Sequence, residues 1–299
     1  MNKLSIAKRA KVVRLLVEGS SLRTISRAED LSINTVTSIL VAVGKACLQF
    51  HNDTVVNIPA KIVQADEIWS FVYAKEKNKE YCKYGGVDGM GNAWTWVGMD
   101  ADTKLVIGWL VGDREADTAN EFMRDMASRL KHRVQLTTDG HKPYLKAVED
   151  AFEDEIDYSM LIKIYGKAEG TDEKERRYSP ATCTGSKKVW VSGDPNPALI
   201  STSYVERQNL TMRMSMRRFT RLTNAFSKKL ENHICAIALH YAYYNFCRIH
   251  KTLRVTPAME AKIATRPMTI EDLVRIGYAD EIAKEEKRLA RRLRYSVTH

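Results

Sequence analysis

The amino-acid sequence predicts an α/β fold in which a layer of strands and helices lies between two helical regions. Three observations support this prediction. The N-terminal stretch up to Phe50 has helical apolar periodicity and no strand pattern. From Lys61 to Ile164 the sequence follows the order three strands, helix, strand, helix, strand, which is typical of an α/β domain. From Ser201 onward the pattern is helical again.

The N-terminal domain, residues 1–52, is predicted to contain three helices. Their expected ranges are Ile6–Glu18, Leu22–Ala28 and Ile33 to about Phe50. Two short helices and a tight turn before a third helix form a helix-turn-helix pattern. Small polar side chains on the first turns of the third helix could contact base edges or phosphates; they are Ser32, Asn34, Thr35 and Thr37. The alternative is a plain three-helix packing unit that contacts no DNA.

Composition and charge narrow the classes of function. The chain has 299 residues, 44% of them hydrophobic, and a formal net charge of +10, which favours a polyanionic partner such as nucleic acid. The 5 cysteines are odd in number and form no Cys-x-x-Cys pair, so we expect reduced thiols rather than disulfides or a zinc site. We find no signal peptide pattern and expect no membrane span, which predicts a cytoplasmic protein.

The strand and helix order of the central layer matches a ribonuclease-H-like core. Its expected strands are Lys61–Ala74, Ala93–Met99, Lys104–Val111, Arg133–Thr138 and Tyr158–Ile164, and its expected helices are Asp117–Leu130 and Pro143–Phe152. We assign residues 60–222 to this domain. Within it, residues 166–200 are rich in Gly, Pro, Ser, Thr and charge, and we interpret them as an insertion or flap.

The C-terminal region is predicted to be helical, and we assign residues 223–299 to it. One long helix is expected from Ser201 to about Leu222, at the end of the preceding domain, and another from Ser227 to about Arg248. Shorter helices are expected after Pro257 and at Ile270–Arg275, and a charge-dense helix or frayed tail at Ala279–Tyr295.

Two aspartates on separate strands of the layer are candidate metal ligands. Asp66 lies within an apolar strand, where a charge is costly unless it has a role. Its neighbour Glu67 points to the opposite face of the strand, and either of them could be the ligand, with Asp66 favoured. Asp139 follows the strand ending at Thr138, and ligand sites of α/β sheets lie at such strand ends. Taken alone, Asp139–Gly140 would be read as a turn.

Glu206 is the third candidate, on the helix that begins near Ser201. Arg213 follows it by seven residues and so lies on the same helix face. The stretch after Glu206 carries basic residues with no intervening acid: Arg207, Arg213, Arg217, Arg218, Arg221, Lys228 and Lys229. A charge run is usually a solvated face, but one of a single sign repels itself unless anions such as phosphates are present, so we favour DNA binding.

These motifs resemble a known family. Gln64–Trp69, Thr137–Gly140 and Tyr204–Arg213 look like the three catalytic blocks of bacterial transposases with an Asp-Asp-Glu (DDE) site. Met216–Lys228 and Tyr244–Leu253, followed by Thr256–Met259, are similar to the insertion-sequence-one family. The resemblance covers roughly Lys61 to Ile263, and its blocks are specific in combination and weak singly.

The resemblance implies both an activity and a set of roles. Asp66, Asp139 and Glu206 would be the catalytic ligands of a two-metal site for Mg²⁺, with Mn²⁺ as a substitute, and Arg213 would contact DNA near the cleaved end. The implied reaction hydrolyses the ends of an element to expose 3′-hydroxyls, which then attack target DNA without a covalent enzyme intermediate. Many members carry a zinc finger before the helix-turn-helix, and this chain has no ligand set for one.

The expected function is therefore that of a DNA transposase in a bacterium or archaeon, associated with the nucleoid. Its partners would be the terminal inverted repeats and the target DNA. At least a homodimer is expected on DNA, because two ends must be joined. Two alternatives remain: a DNA-binding regulator derived from a transposase, and a ribonuclease-H-like nuclease that cuts without joining. Loss of a catalytic acid would mark the regulator, and all three acids are present.

Overall fold

The structure is a computed structural model that describes residues 3–82, 89–166, 182–220 and 224–297, with side chains up to Arg288. The chain forms two compact units, which are described separately. Unit 1 comprises Met1–Thr54, Ser70–Ala93 and Thr211–His299, and unit 2 comprises Val55–Trp69 and Trp94–Leu210.

A six-stranded mixed sheet forms the centre of unit 2. Its strands are β1 (Ile62–Val72), β2 (Gly91–Asp100), β3 (Val106–Gly112), β4 (Val134–Thr138), β5 (Ile156–Gly166) and β6 (Thr182–Ser192), in the order β3-β2-β1-β4-β5-β6. β2 and β3 are antiparallel, β4 is parallel to both β1 and β5, and β5 and β6 are antiparallel. The first five strands have the order of a ribonuclease-H-like core, and the pair directions given above agree with it, which confirms the predicted fold class.

Two helices follow the strands of this core in the chain, α4 (Ala116–Arg129) between β3 and β4 and α5 (Pro143–Phe152) between β4 and β5. Their apolar residues are buried because each helix turns a stripe toward the sheet. The rings of Trp96 on β2, Phe122 on α4 and Tyr144 on α5 pack together, with centroids 6.0 Å and 5.2 Å from that of Trp96. This aromatic cluster fixes α5 close to the strands that carry the candidate acids.

The remaining helix of unit 2 begins the C-terminal helical part. This helix, α6, spans Ser203–Ser215, and its residues up to Leu210 belong to unit 2. The sequence predicted a single helix to about Leu222, and this is wrong. The helix ends at Ser215, a separate 3-10 turn covers Arg217–Phe219, and residues 221–223 lie outside the described residues.

β6 is the strand that the sequence did not predict. The sequence predicts an insertion or flap at residues 166–200, but Thr182–Ser192 pairs with β5 along most of that strand. Its polar and basic composition lacks the apolar pattern by which strands are predicted. Pairing with a neighbouring strand is a tertiary interaction that overrides local propensity. Residues 167–181, also part of the predicted flap, lie outside the described residues.

Unit 1 contains the other helices. They are α1 (Ile6–Val17), α2 (Leu22–Ala28), α3 (Ile33–Thr54), α7 (Leu230–Ala242), α8 (Pro257–Glu260), α9 (Ile270–Gly277) and α10 (Ala279–Val297). Helix α3 packs closely on α7 at Gly44, where the absence of a side chain allows the approach. A Cβ atom added at this position would lie only 2.4 Å from the carbonyl oxygen of Cys235. The three N-terminal helices match the predicted ones, and their identity as a helix-turn-helix stays a prediction.

Helix α3 departs from the expectation that no segment could span a membrane. This helix has 22 residues and is, by length and apolar composition alone, able to cross a membrane. Core helices of soluble proteins meet the same requirement. Val36, Ile39, Leu40, Val43 and Cys47 of this helix are buried within unit 1.

Candidate active site

Three carboxylates converge at one edge of the sheet in unit 2. Asp66 and Glu67 are consecutive residues of β1, and Asp139 directly follows β4, its parallel neighbour. One carboxylate oxygen from each of the three lies within 4.8 Å of the others. Oxygen ligands from separate elements at this spacing can hold a divalent cation such as Mg²⁺ or Mn²⁺.

Asp139 is held in place by the turn that it begins. Its Oδ1 accepts a hydrogen bond of 2.9 Å from the backbone N–H of His141, an arrangement typical of aspartates in turns. A Cβ at the intervening Gly140 would lie 3.1 Å from the side chain of Ile162 on β5, so the turn passes close to that strand. The turn leaves the Asp139 side chain 35% exposed, and hence accessible to a ligand.

Glu67 is buried and bonded to two side chains of unit 2. Its side chain is 1% exposed, and its Oε1 accepts a hydrogen bond of 2.6 Å from Nε of Arg114. Its Oε2 accepts a hydrogen bond of 3.0 Å from the hydroxyl of Tyr144 on α5. Arg114 also lies 3.7 Å from Asp139 and stacks over Trp94. Both oxygens of Glu67 are therefore occupied by the protein itself.

Burial and mutual repulsion raise the pKa of two of these acids. Burial, together with the negative charge of Asp139, raises the pKa of Asp66 to about 6. Burial and the charges of Asp139 and Asp66 raise the pKa of Glu67 to about 7, although Arg114 opposes this rise. Like charges held together in a buried place are unfavourable, and a bound divalent cation would relieve that repulsion.

Helix α6 is attached to β1 beside Asp66. The buried Gln64 on β1 accepts hydrogen bonds through Oε1 from the backbone N–H groups of Tyr204 and Val205, at 2.9 Å and 3.2 Å. These N–H groups lie in the first turn of α6 and have no partner within the helix. By strand alternation Gln64 and Asp66 share one sheet face, and Asn209 on α6 donates a hydrogen bond of 2.8 Å to Asp66 Oδ2.

Glu206 lies on the same helix, three residues before Asn209, and so faces the same side of the sheet. Its Oε2 pairs with the ammonium group of Lys163 on β5, and its Oε1 accepts a hydrogen bond of 2.5 Å from the hydroxyl of Thr202. Its negative charge contributes to the raised pKa of Asp66. Glu206 is thus near Asp66, although it is not one of the three acids whose oxygens lie within 4.8 Å of one another.

The basic residues predicted to bind DNA do not form one continuous helix. Arg207 is exposed on the part of α6 that belongs to unit 2, whereas Arg213, Arg217, Arg218 and Lys228 belong to unit 1, and Arg221 lies outside the described residues. Arg218 forms hydrogen bonds within unit 1: its Nη1 donates to Ser227 Oγ and to the carbonyl oxygen of Asn232, each at 2.8 Å.

The polar residues predicted at the start of α3 lie at an accessible position of unit 1. Ser32 caps the helix, because its Oγ accepts the backbone N–H of Thr35 at 3.0 Å. Thr37 donates its hydroxyl to the carbonyl of Ile33 at 2.8 Å. Ser32 and Asn34 are exposed, while Thr35 and Thr37 are half-buried.

Sequence reasoning missed the residues that support the acids, which are Gln64, Arg114, Tyr144, Lys163, Thr202 and Asn209. One signal was present for Asn209, because a residue three positions after Glu206 lies one turn along the same helix face. For Arg114 and Lys163 no local signal exists, since each meets its acid through contacts between distant parts of the chain.

Comparison with known proteins adds similarities of limited strength. No protein-family model matches the chain, and no curated protein sequence matches it. Among solved structures, the chain is similar to the piggyBac transposase synaptic complex with hairpin DNA, at 9% identity and a TM-score of 0.43 over 98% of this chain and 75% of that one.

Two structures of the Mos1 transposase are also similar. The paired-end complex with the left transposon end has 15% identity and a TM-score of 0.21 over 51% of this chain and 58% of that one. The strand transfer complex has 14% identity and a TM-score of 0.23 over 80% of this chain and 78% of that one. Because these TM-scores are low, the ribonuclease-H-like assignment depends on the strand order and directions described above.

Proposed function

We propose that the protein is a DNA transposase of the Asp-Asp-Glu type, related to the insertion-sequence-one family. The observation that carries this proposal is the arrangement of Asp66, Asp139 and Glu206. They come from β1, the end of β4 and helix α6 of a ribonuclease-H-like fold. Asp66 and Asp139 lie within the acidic cluster, and Glu206 is near enough to Asp66 to raise its pKa. The motif resemblance around these three acids supports the same assignment.

The carboxylates fit a site for Mg²⁺ or Mn²⁺. The carboxylates of Asp66 and Asp139 lie close together, and the repulsion between their negative charges favours a cation between them. Bound divalent metal would supply a lowered pKa for the attacking water or hydroxyl and charge stabilisation for the leaving oxygen. Glu206 would complete the ligand set from the helix side, with Asn209 orienting Asp66.

Glu67 has a supporting role in this proposal. Its carboxylate is bonded to Arg114 and Tyr144 and is 1% exposed, whereas that of Glu206 is 37% exposed, so Glu67 is the less accessible of the two to a metal. Instead it anchors Arg114, whose guanidinium group extends toward Asp139. This difference supports Asp66, rather than Glu67, as the proposed ligand.

DNA recognition would use surfaces outside the acidic site. The exposed start of α3 carries Ser32 and Asn34, which suit a helix-turn-helix contact with the terminal inverted repeats. Arg207, Arg213, Arg217 and Lys228 would contribute phosphate contacts, and the net charge of +10 favours such a partner. Joining two ends to target DNA requires at least two copies of the protein, which would act in the bacterial or archaeal cytoplasm.

The reaction that follows from these roles is hydrolysis at the element ends and transfer of the exposed 3′-hydroxyls to target DNA. A nuclease with the same core would cut and not join. A regulator derived from a transposase would bind and do neither. The products formed on DNA separate these three functions directly.

The test uses labelled duplexes made from the DNA that flanks the gene on each side, with the full chain and Mg²⁺. We expect nicked strands with 3′-hydroxyl ends, and joined products when target DNA is added. Asp66→Asn, Asp139→Asn and Glu206→Gln should each abolish cleavage while binding to the same duplex persists. Cleavage without joining would establish the nuclease, and binding without cleavage by the wild-type protein would establish the regulator.

A further inference from the structure

Lys163 is a cation placed against a proposed catalytic acid. It lies on β5, and its ammonium group pairs with Oε2 of Glu206, the acid that α6 contributes. The two side chains are 33% and 37% exposed, so solvent and ligands can reach both. The proposed transposase chemistry does not use this lysine, and none of the sequence motifs described above includes it.

This ion pair conflicts with a role for Glu206 as a metal ligand. One oxygen of Glu206 is held by Lys163 and the other by the hydroxyl of Thr202. A divalent cation that binds Glu206 would meet the ammonium group at the same carboxylate, and two cations in contact repel each other. The metal and the ammonium group therefore compete for Glu206.

The ammonium group of Lys163 can pair with another anion when a metal ion binds Glu206. Among the residues that the structure describes, Glu206 is the only carboxylate that forms an ion pair with Lys163. Once metal binds Glu206, the ammonium group loses this ion pair and can form a charge-assisted hydrogen bond with another nearby anion. DNA at the site brings phosphodiester oxygens to this sheet edge, and a flexible four-carbon stem lets the ammonium group turn toward them.

We propose that Lys163 is an exchangeable cation of the active site: it occupies Glu206 in the metal-free protein and binds a DNA phosphodiester when metal takes that carboxylate. This inference rests on the proposed function. It makes Lys163 a DNA-binding residue only in the metal-loaded protein. It also makes the lysine a competitor of metal binding when DNA is absent.

Removal of the Lys163 charge should raise the affinity for Mg²⁺ in the absence of DNA and lower the affinity for DNA in the presence of Mg²⁺. Lys163→Met removes the charge and keeps most of the side-chain length. Without DNA, the variant should bind Mg²⁺ about two- to five-fold more tightly in calorimetry, because Mg²⁺ no longer has to break the ion pair. This factor corresponds to the usual strength of a partly exposed ion pair. With Mg²⁺ and the flanking duplex, its DNA affinity should be lower, and the slope of log affinity against log salt should fall by about 1.

The change in salt slope should disappear when Mg²⁺ is omitted, because Lys163 then stays on Glu206. Lys163→Arg should restore the salt slope, since it keeps the charge. Lys187→Met is a matched control on β6: this lysine is exposed on the strand next to β5, and in the described part of the chain it has no ion pair. The control should change neither Mg²⁺ affinity nor the salt slope.

A purely structural ion pair between β5 and α6 would behave differently. Lys163→Met would then weaken or leave unchanged the Mg²⁺ affinity, and either result in a folded variant would overturn the proposal. An unchanged salt slope with Mg²⁺ would overturn it as well. If wild-type protein binds no Mg²⁺, or Glu206→Gln leaves Mg²⁺ affinity unchanged, the proposed metal site itself fails, and that outcome is distinct from a failure confined to Lys163.

Discussion

The side-chain amide of Asn209 donates a hydrogen bond of 2.8 Å to Oδ2 of Asp66. This bond joins helix α6 to strand β1 at the carboxylate itself, so it sets which oxygen of Asp66 remains available to a ligand. Asn209 is buried, and within the described part of the chain its Oδ1 has no hydrogen-bond partner. Its contact with Asp66 is therefore the one that fixes the orientation of the amide.

Loss of that hydrogen bond should weaken the proposed metal site. Asn209→Ala leaves Asp66 without its orienting donor, and changes of this kind typically cost about 10- to 100-fold in metal affinity or activity. We expect a loss in that range for Mg²⁺ affinity in calorimetry and for strand cleavage. Gln208→Met is the matched control, because Gln208 is buried like its neighbour Asn209 and its side-chain N–H groups form no hydrogen bond among the described residues. Equal effects of the two variants would contradict the assigned role.

Gln64 should matter for stability as well as for position. Its Oε1 accepts two backbone N–H groups at the start of α6. Gln64→Leu keeps the side-chain bulk and removes the acceptor, which leaves those donors unsatisfied. We expect the free energy of unfolding to fall by about 1–3 kcal/mol, measured by urea denaturation. A stability within about 0.5 kcal/mol of the wild type would show that α6 does not depend on this contact.

The effect of Mg²⁺ on thermal stability should depend on pH. Burial raises the pKa of Asp66 to about 6 and that of Glu67 to about 7, so the folded protein holds protons that the unfolded chain releases. Metal-free stability from these groups therefore falls as pH rises from about 4 to about 7. Mg²⁺ requires the deprotonated carboxylates, and it should bind more tightly at about pH 8 than at about pH 5.5.

Differential scanning calorimetry measures this dependence. With Mg²⁺ in large excess over its Kd, we expect the Tm to rise by about 5 °C or more at the higher pH and by much less at the lower one. Asp139→Asn removes one ligand and part of the repulsion, so it should reduce the shift. An equal shift at both pH values would indicate that Mg²⁺ binds elsewhere.

Asn34 offers a clean test of DNA contact by α3. Its side chain is exposed, and among the described residues it has no hydrogen-bond partner, so Asn34→Ala should not change the Tm. If its amide reads a base edge, affinity for the flanking duplex should fall by about 1–3 kcal/mol. Gln49→Ala near the other end of α3 is the control for a general effect on the helix. Unchanged affinity in Asn34→Ala would argue for a plain three-helix packing unit.

Elements with a strong local pattern could be predicted from the sequence. Helix α5 has the predicted bounds Pro143–Phe152, and Asp139 lies after a strand as expected. β6 and the end of α6 at Ser215 could not be predicted, since pairing with β5 and helix termination depend on distant contacts. The pairing of Lys163 with Glu206 was out of reach for the same reason.

The central claim is that Asp66, Asp139 and Glu206 converge on a divalent metal ion. The most direct measurement is the anomalous difference map of a crystal of this 299-residue chain grown with Mn²⁺. We predict an anomalous peak at about 2.0–2.3 Å from carboxylate oxygens of Asp66 and Asp139, with Glu206 turned toward the ion. A well-diffracting crystal with no peak at these aspartates, or with Mn²⁺ bound to other residues only, would contradict the account.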